Sequence, residues 1–422
     1  MLTAVTGLGR TAARLVLLTG LTLCAVLPAG CAPRDADKSA TARDGAMNAT
    51  LGGQGAGSLD STQNLTDIDP RLAAVSSMAV RMTYVSTSGI NDSNYKVTGT
   101  VFVPKGDPPP GGWPMVGFGH RATGVRSECA PSLSPTLRGE AGEVADLVKA
   151  GYLVSVPDYQ GLGPNIARHP FLDSTTEAYN LIDSMSAVRN LNKNASDKWV
   201  AFGTGQGGQA AWAANELVED HGMGLNLVGA VSVSPAADLT GMVDVAANGA
   251  LTAEQKLTLV FFLAALKATY GNDIDLADYR RGAAEQNWDV LTECDGPSDG
   301  ERMRLAEQIP ADDLRPSSAD AADTLRGFLR KVALPQGPTS APMLVTYTDK
   351  DPLIPPAWTQ HALVEACRIG DVIQVRLQPG GDAGAVDMAD ALHWVDDRFK
   401  GVAAPNDCAA VAASAGPGGA GR

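Results

Sequence analysis

The stretch Gly203-Thr204-Gly205-Gln206-Gly207 carries the spacing that points most directly to chemistry. It follows an apolar run at 198–203 and opens a helical stretch. Strand, tight glycine turn and helix form the setting of a G-x-S-x-G nucleophile elbow, whose middle residue stands at the tip in a strained conformation. The flanking glycines let strand and helix approach closely. A serine at the tip would attack an ester carbonyl and carry the acyl group covalently. Here the tip is Gly205, which takes such a conformation freely and offers no oxygen or sulfur. Thr204 is one residue away, but an elbow presents only its tip. The segment also lacks the Lys and Ser/Thr that end a phosphate-binding loop.

Other groups able to move protons are scattered. Asp158, Asp349, Asp351, Asp382 and Asp387 are the remaining acids of interest, and the sequence fixes no distance between any two. His361 and His393 fall in helical stretches and are expected at the surface. His120, His169 and His221 complete the five. No C-x-x-C spacing occurs, so no metal site through sulfur is expected, and no cofactor is implied.

The elements that must position these residues alternate. Residues 79–85 and 95–103 read as an antiparallel opening pair. Runs at 114–119, 152–157, 198–203, 227–232, 342–347 and 371–377 are short, apolar and bounded by turn residues, as strands buried on both faces are. Helical stretches at 142–150, 174–191, 208–221, 356–369 and 389–399 separate them. This alternation predicts an α/β fold with a mostly parallel sheet, right-handed crossovers and helices on both faces. Residues 237–340 break the rhythm: they hold no convincing strand, and 257–266 is apolar nearly all round. A helix of that kind must be covered or must cover something. Lying between two strands, the segment reads as a helical cap insertion.

The ends read differently. Arg10 and Arg14 precede an apolar run at 15–27 that is too short to span a bilayer, so residues 1–30 read as a signal peptide. Ala29-Gly30-Cys31 resembles a lipobox, which makes Cys31 a lipidation candidate and predicts either an anchored or a secreted protein. Pro28 departs from the usual leucine, with Leu27 one step upstream. Residues 31–70 are expected to be a flexible tether, 71–408 the folded domain and 409–422 a disordered tail. Removing residues 1–30 from the chain's 33 Lys and Arg leaves 31 against 47 Asp and Glu, a net charge of −16. So acidic a chain has no electrostatic footprint for nucleic acid. Cys129, Cys294, Cys367 and Cys408 remain beyond Cys31, an even number that suggests two disulfides in an oxidising compartment, with three possible pairings.

From about Met82 to Cys408 the chain resembles the secretory lipases, which are α/β-hydrolases. The resemblance rests on Gly119-His120-Arg121-Ala122-Thr123-Gly124, on Asp158-Tyr159-Gln160-Gly161-Leu162-Gly163, on His169-Pro170, on Ala187-Val188-Arg189, on 203–208, on Asp351 to Pro356 and on Trp394 to Phe399. It implies that Gly205 holds the nucleophile slot, Asp351 the acid slot with Asp349 as fallback, and Ala383 the histidine slot. Those slots follow the order Ser, Asp, His of the fold, and two of the three are substituted. It implies oxyanion donors at the backbone N–H of Gln206 and in the Arg121–Ala122 region. It further implies the pairings Cys129–Cys294 and Cys367–Cys408, and a structural His169. Two functions are compatible with it. One is a pseudoenzyme that binds lipid or acyl ester ligands, or a partner, anchored to the membrane through Cys31. The other is an active lipase or esterase with an unrecognised nucleophile. The sequence gives no oligomeric state.

Overall fold

A computed structural model describes residues 49–163, 167–294, 299–381, 384 and 387–414. Nine strands form one sheet: β1 (Leu59–Asn64), β2 (Ser76–Thr87), β3 (Asn94–Pro104), β4 (Trp113–Gly119), β5 (Leu153–Pro157), β6 (Ala195–Thr204), β7 (Asn226–Val233), β8 (Met343–Thr348) and β9 (Ile373–Gln378). Their order is β1-β2-β3-β5-β4-β6-β7-β8-β9. The pairs from β1 to β5 along this order are antiparallel, and every pair from β5–β4 onward is parallel. Crossovers between parallel strands need helices, and these cover both faces.

The helices are α1 (Pro70–Val75), α2 (Ala141–Lys149), α3 (Ser174–Leu191), α4 (Gln206–His221), α5 (Met242–Ala247), α6 (Ala253–Tyr270), α7 (Gly282–Gln286), α8 (Trp288–Leu291), α9 (Asp299–Gln308), α10 (Ala319–Val332), α11 (Pro356–Ile369), α12 (Met388–Phe399) and α13 (Cys408–Ser414). Strand residues alternate between two cores, because successive side chains leave a strand on opposite faces. Trp199 and Ala201 join Leu181, Met185, Trp212 and Leu363 of α3, α4 and α11. Val200 and Phe202 join Val144, Leu147, Trp394 and Val395 of α2 and α12. Both faces are therefore buried, which is why the parallel strands read as unbroken apolar runs.

Between β7 and β8 the described residues are helical and irregular, without a strand. They have a core of their own around Leu259, Val260, Phe262 and Leu263 of α6, with Leu325 and Leu329 of α10. Thr252 and Gln255 close a capping box at the start of α6. The same two side chains hold that helix to the loop after β8: Thr252 Oγ1 donates to Pro352 O (2.8 Å), and Gln255 Nε2 to Leu353 O (3.1 Å). Disulfides Cys129–Cys294 and Cys367–Cys408 are present. The first ties the loop after β4 to the segment following α8. The second fastens α13 to α11.

Two expectations about the ends need correction. Residues 31–70 are not tether throughout, since β1 occupies Leu59–Asn64 and pairs with β2. Only Leu59 of its side chains is buried, so backbone bonding rather than an apolar pattern makes this edge strand. Residues 409–414 belong to α13, held by the Cys408 disulfide, so this part of the expected tail is helical. The signal peptide, Cys31 and residues 415–422 lie outside the described residues.

Candidate functional site

The turn after β6 has an elbow geometry. Gly205 caps α4 with φ 60° and ψ −115°, a conformation that an L side chain strains to adopt. Its N–H donates to Val233 O (2.9 Å), and its carbonyl accepts from Gln209 N and Ala236 N (3.1 Å each). A Cβ placed on Gly205 meets nothing within 4 Å among the described residues, so the tip has room for a side chain there. Two residues on, the situation reverses. A Cβ on Gly207 would lie 1.9 Å from Gly119 O, so close approach of α4 to the end of β4 demands glycine there.

The expected oxyanion donors differ in their engagement. Gln206 is the first residue of α4, and its N–H has no acceptor within the helix. The Arg121 N–H is committed: it donates to Glu140 Oε1 (2.9 Å). The Arg121 guanidinium bonds Glu140 Oε2 (2.5 Å), Glu143 Oε1 (2.6 Å) and Gly384 O (3.1 Å). It thereby spans from the loop after β4 to the segment after β9. Burial pushes the Glu140 carboxyl up, against the pull of Arg121. Ala122, half-buried, follows in the same loop.

Ala383, the histidine slot, and Asp382 lie outside the described residues. Gly384 is described, and it sits beside the elbow. Its N–H donates to Ser234 Oγ (3.3 Å), and a Cβ on it would lie 3.2 Å from Thr204 Cγ2. Of the two acid candidates, Asp351 Oδ1 accepts from Leu353 N and Ile354 N (2.9 Å each) and so shapes its own loop. Asp349 Oδ1 accepts from Gly380 N (2.6 Å) and so reaches the segment that carries the histidine slot. Asp387 caps α12 through Ala389 N and Asp390 N.

The histidines stand elsewhere. His361 contacts Asp238 (3.1 Å), exposed His393 faces Asp397 (3.8 Å), and His221 pairs with Asp183 (2.9 Å). His120 and His169 are buried near Tyr159, with ring centroids 4.3 and 6.2 Å from it. Burial lowers them to about 4 and about 3, so both are neutral at neutral pH. None of the five is hydrogen-bonded to Thr204, Asp349 or Asp351 among the described residues. Thr204 Oγ1 is buried without any hydrogen-bond partner among them. Asp158 is also buried. It accepts from Thr98 Oγ1 (2.6 Å) and Ser132 N (2.8 Å), which makes the Asp-Tyr-Gln-Gly-Leu-Gly stretch an anchor for neighbouring loops.

Sequence reasoning passed over three features. Ser234 is buried beside the elbow with φ 39°. Glu140 and Glu143 hold Arg121. Glu177 lies fully buried behind the turn, where burial raises its carboxyl well above the usual range. Its Oε1 accepts from Gln206 Nε2 (2.6 Å) and Leu172 N (2.9 Å). The same Gln206 amide donates to His169 Nε2 (3.2 Å). His169 Nδ1 lies 2.9 Å from Gln160 O, a carbonyl that only accepts, so Nδ1 carries the proton. Only the proximity of Gln206 to the elbow could have signalled this network. His169 also lines a cavity of about 620 Å³ between the 125–128 loop, α6 and α8, so two side chains link that cavity to the residue after Gly205.

A family model described as secretory lipase matches residues 132–287, and the resemblance read from the sequence is borne out there. None of the curated proteins matches the chain. Among solved structures, Candida antarctica lipase A in its closed state is similar with a TM-score of 0.67 at 16% identity, over 83% of this chain and 84% of that one. The rice cell wall degrading esterase LipA from Xanthomonas oryzae gives 0.64 at 22% identity, over 83% and 97%. A putative hydrolase from Legionella pneumophila gives 0.63 at 17%, over 82% and 97%. These likenesses show the fold, which is the α/β-hydrolase fold.

Proposed function

We propose that this secretory-lipase-type chain is a pseudoenzyme, one that keeps a lipase or esterase frame and binds an acyl ester ligand without cleaving it. The observation that carries the reading is Gly205 at the elbow tip, since acyl transfer through a covalent ester needs an oxygen or sulfur nucleophile. Thr204 does not replace it: a nucleophile needs a base within hydrogen-bond reach, and Thr204 Oγ1 bonds no described group. The Arg121 N–H, held by Glu140, is withdrawn from the oxyanion role, which leaves Gln206 and Ala122 as donors. The family match and the two disulfides are consistent with export, because such bonds persist in oxidising compartments. Anchoring through a lipid on Cys31 is part of the proposal.

The test uses purified residues 32–422. An alkyl fluorophosphonate, which phosphonylates activated serines, should leave the intact mass unchanged, while titration with methyl octanoate should change the tryptophan fluorescence saturably. A stoichiometric adduct would overturn the pseudoenzyme reading. Absence of any saturable change would overturn ligand binding.

A further inference from the structure

Arg168 is exposed and has neither an ion pair nor a hydrogen bond among the described residues. Its position is not arbitrary, because it lines the cavity of about 620 Å³ described above. It also lines a second cavity of about 270 Å³, which shares Ala167, Arg168 and Ala268 with the first. Arg168 therefore stands where the two meet.

The wall around it is of mixed character. Ala264, Ala265 and Ala268 present a smooth strip of α6, and Trp288 adds an aromatic surface. Arg126, the other guanidinium of this wall, is engaged: its Nη2 donates to Asp289 O (2.7 Å) and Thr292 Oγ1 (2.8 Å). The acids there are Glu128 and Asp289, both exposed, and Asp289 lies 4.0 Å from Arg126 Nη2. His169 is neutral and adds no charge. With Arg126 engaged by Asp289 and Thr292, Arg168 is the guanidinium of this amphipathic cavity that makes no ion pair among the described residues. A guanidinium offers a planar fork of donors that matches a carboxylate through two parallel bonds.

We infer that this double cavity is a binding site for an amphiphilic carboxylate, with Arg168 holding the carboxylate and the α6 strip and Trp288 covering the apolar body. The inference rests on the ligand-binding reading above and narrows it from an ester to a free acid. It assigns the ligand a charge that an uncharged ester lacks. His169, which lines the cavity and accepts from Gln206, connects such a ligand to the elbow turn.

The experiment is isothermal titration of residues 32–422 with sodium octanoate and with methyl octanoate, at low and high salt. Native protein, Arg168→Ala and Arg168→Lys are compared. Because Arg168 is exposed and unbonded, both variants should keep the native melting temperature. Octanoate should bind the native protein more tightly than its methyl ester. Arg168→Ala should weaken octanoate roughly tenfold and leave the ester unchanged, as loss of a charge-assisted bond predicts. Arg168→Lys should retain part of the octanoate affinity, and added salt should erode it. If octanoate and the ester bind alike, or Arg168→Ala binds octanoate as the native protein does, the carboxylate anchor is wrong while the ester reading survives. If neither ligand binds, both fall.

Discussion

Replacing Gly205 with serine isolates what the elbow demands of its tip. The substitution removes no hydrogen bond, because Gly205 bonds only through its backbone N–H and carbonyl. It creates no clash with the described residues, because a Cβ there finds none of them within 4 Å. What remains is backbone strain at φ 60° and ψ −115°, worth about 1–3 kcal/mol for a side-chain-bearing residue. At an unfolding entropy of about 2.1 cal/mol/K per residue, a folded part of about 360 residues converts this to a Tm drop of about 1–4 °C. Gly207→Ala is the contrasting variant, since its Cβ would lie 1.9 Å from Gly119 O and the backbone would have to move. Differential scanning calorimetry of both should show a small drop for Gly205→Ser and severe destabilisation or loss of soluble protein for Gly207→Ala. A Gly205→Ser variant as damaged as Gly207→Ala, or one more stable than the native chain, would refute the assignment of residue 205 as an open, strained tip.

Other consequences can be checked separately. Burial raises Glu216 to about 8, above the usual 4.5. The folded state then holds a proton that the unfolded state releases, so stability falls as pH rises from about 4.5 towards 8. Glu216→Gln should flatten that slope in melting temperature against pH, and an unchanged slope would contradict the assignment. The bond Cys129–Cys294 joins residues 165 apart. Removing it with Cys129→Ser and Cys294→Ser should cost about 2–5 kcal/mol in denaturant unfolding. The Cys367→Ser and Cys408→Ser pair should instead release α13 first, seen as faster amide exchange at 408–414 with little change on β6 and β7.

The sheet was largely legible because burial on both faces leaves apolar runs such as 198–203 and 342–347, and the crossover helices between them follow from strand alternation. β1 was not, because Leu-Asp-Ser-Thr-Gln-Asn buries only its leucine and joins the sheet through its backbone. The short helices α7 and α8 lacked the length for a periodic signal. At the site, Gly205 and Gly207 could be read because backbone approach constrains their type. Arg121 with Glu140 and Glu143 could not, since nothing local in the sequence records a contact made across a loop. The choice between Asp349 and Asp351 likewise depends on where the loops after β8 and β9 meet.

The measurement that tests the central claim most directly is hydrolysis of short- and long-chain p-nitrophenyl esters by residues 32–422, beside the double variant Gly205→Ser and Ala383→His. The account predicts that the native protein shows no more than the trace hydrolysis, about 10³–10⁴-fold over water, that surviving oxyanion donors supply, and that the double variant turns over far faster because it regains a nucleophile and a base. Efficient turnover by the native protein, unaffected by changing Thr204, would contradict it and place the nucleophile elsewhere.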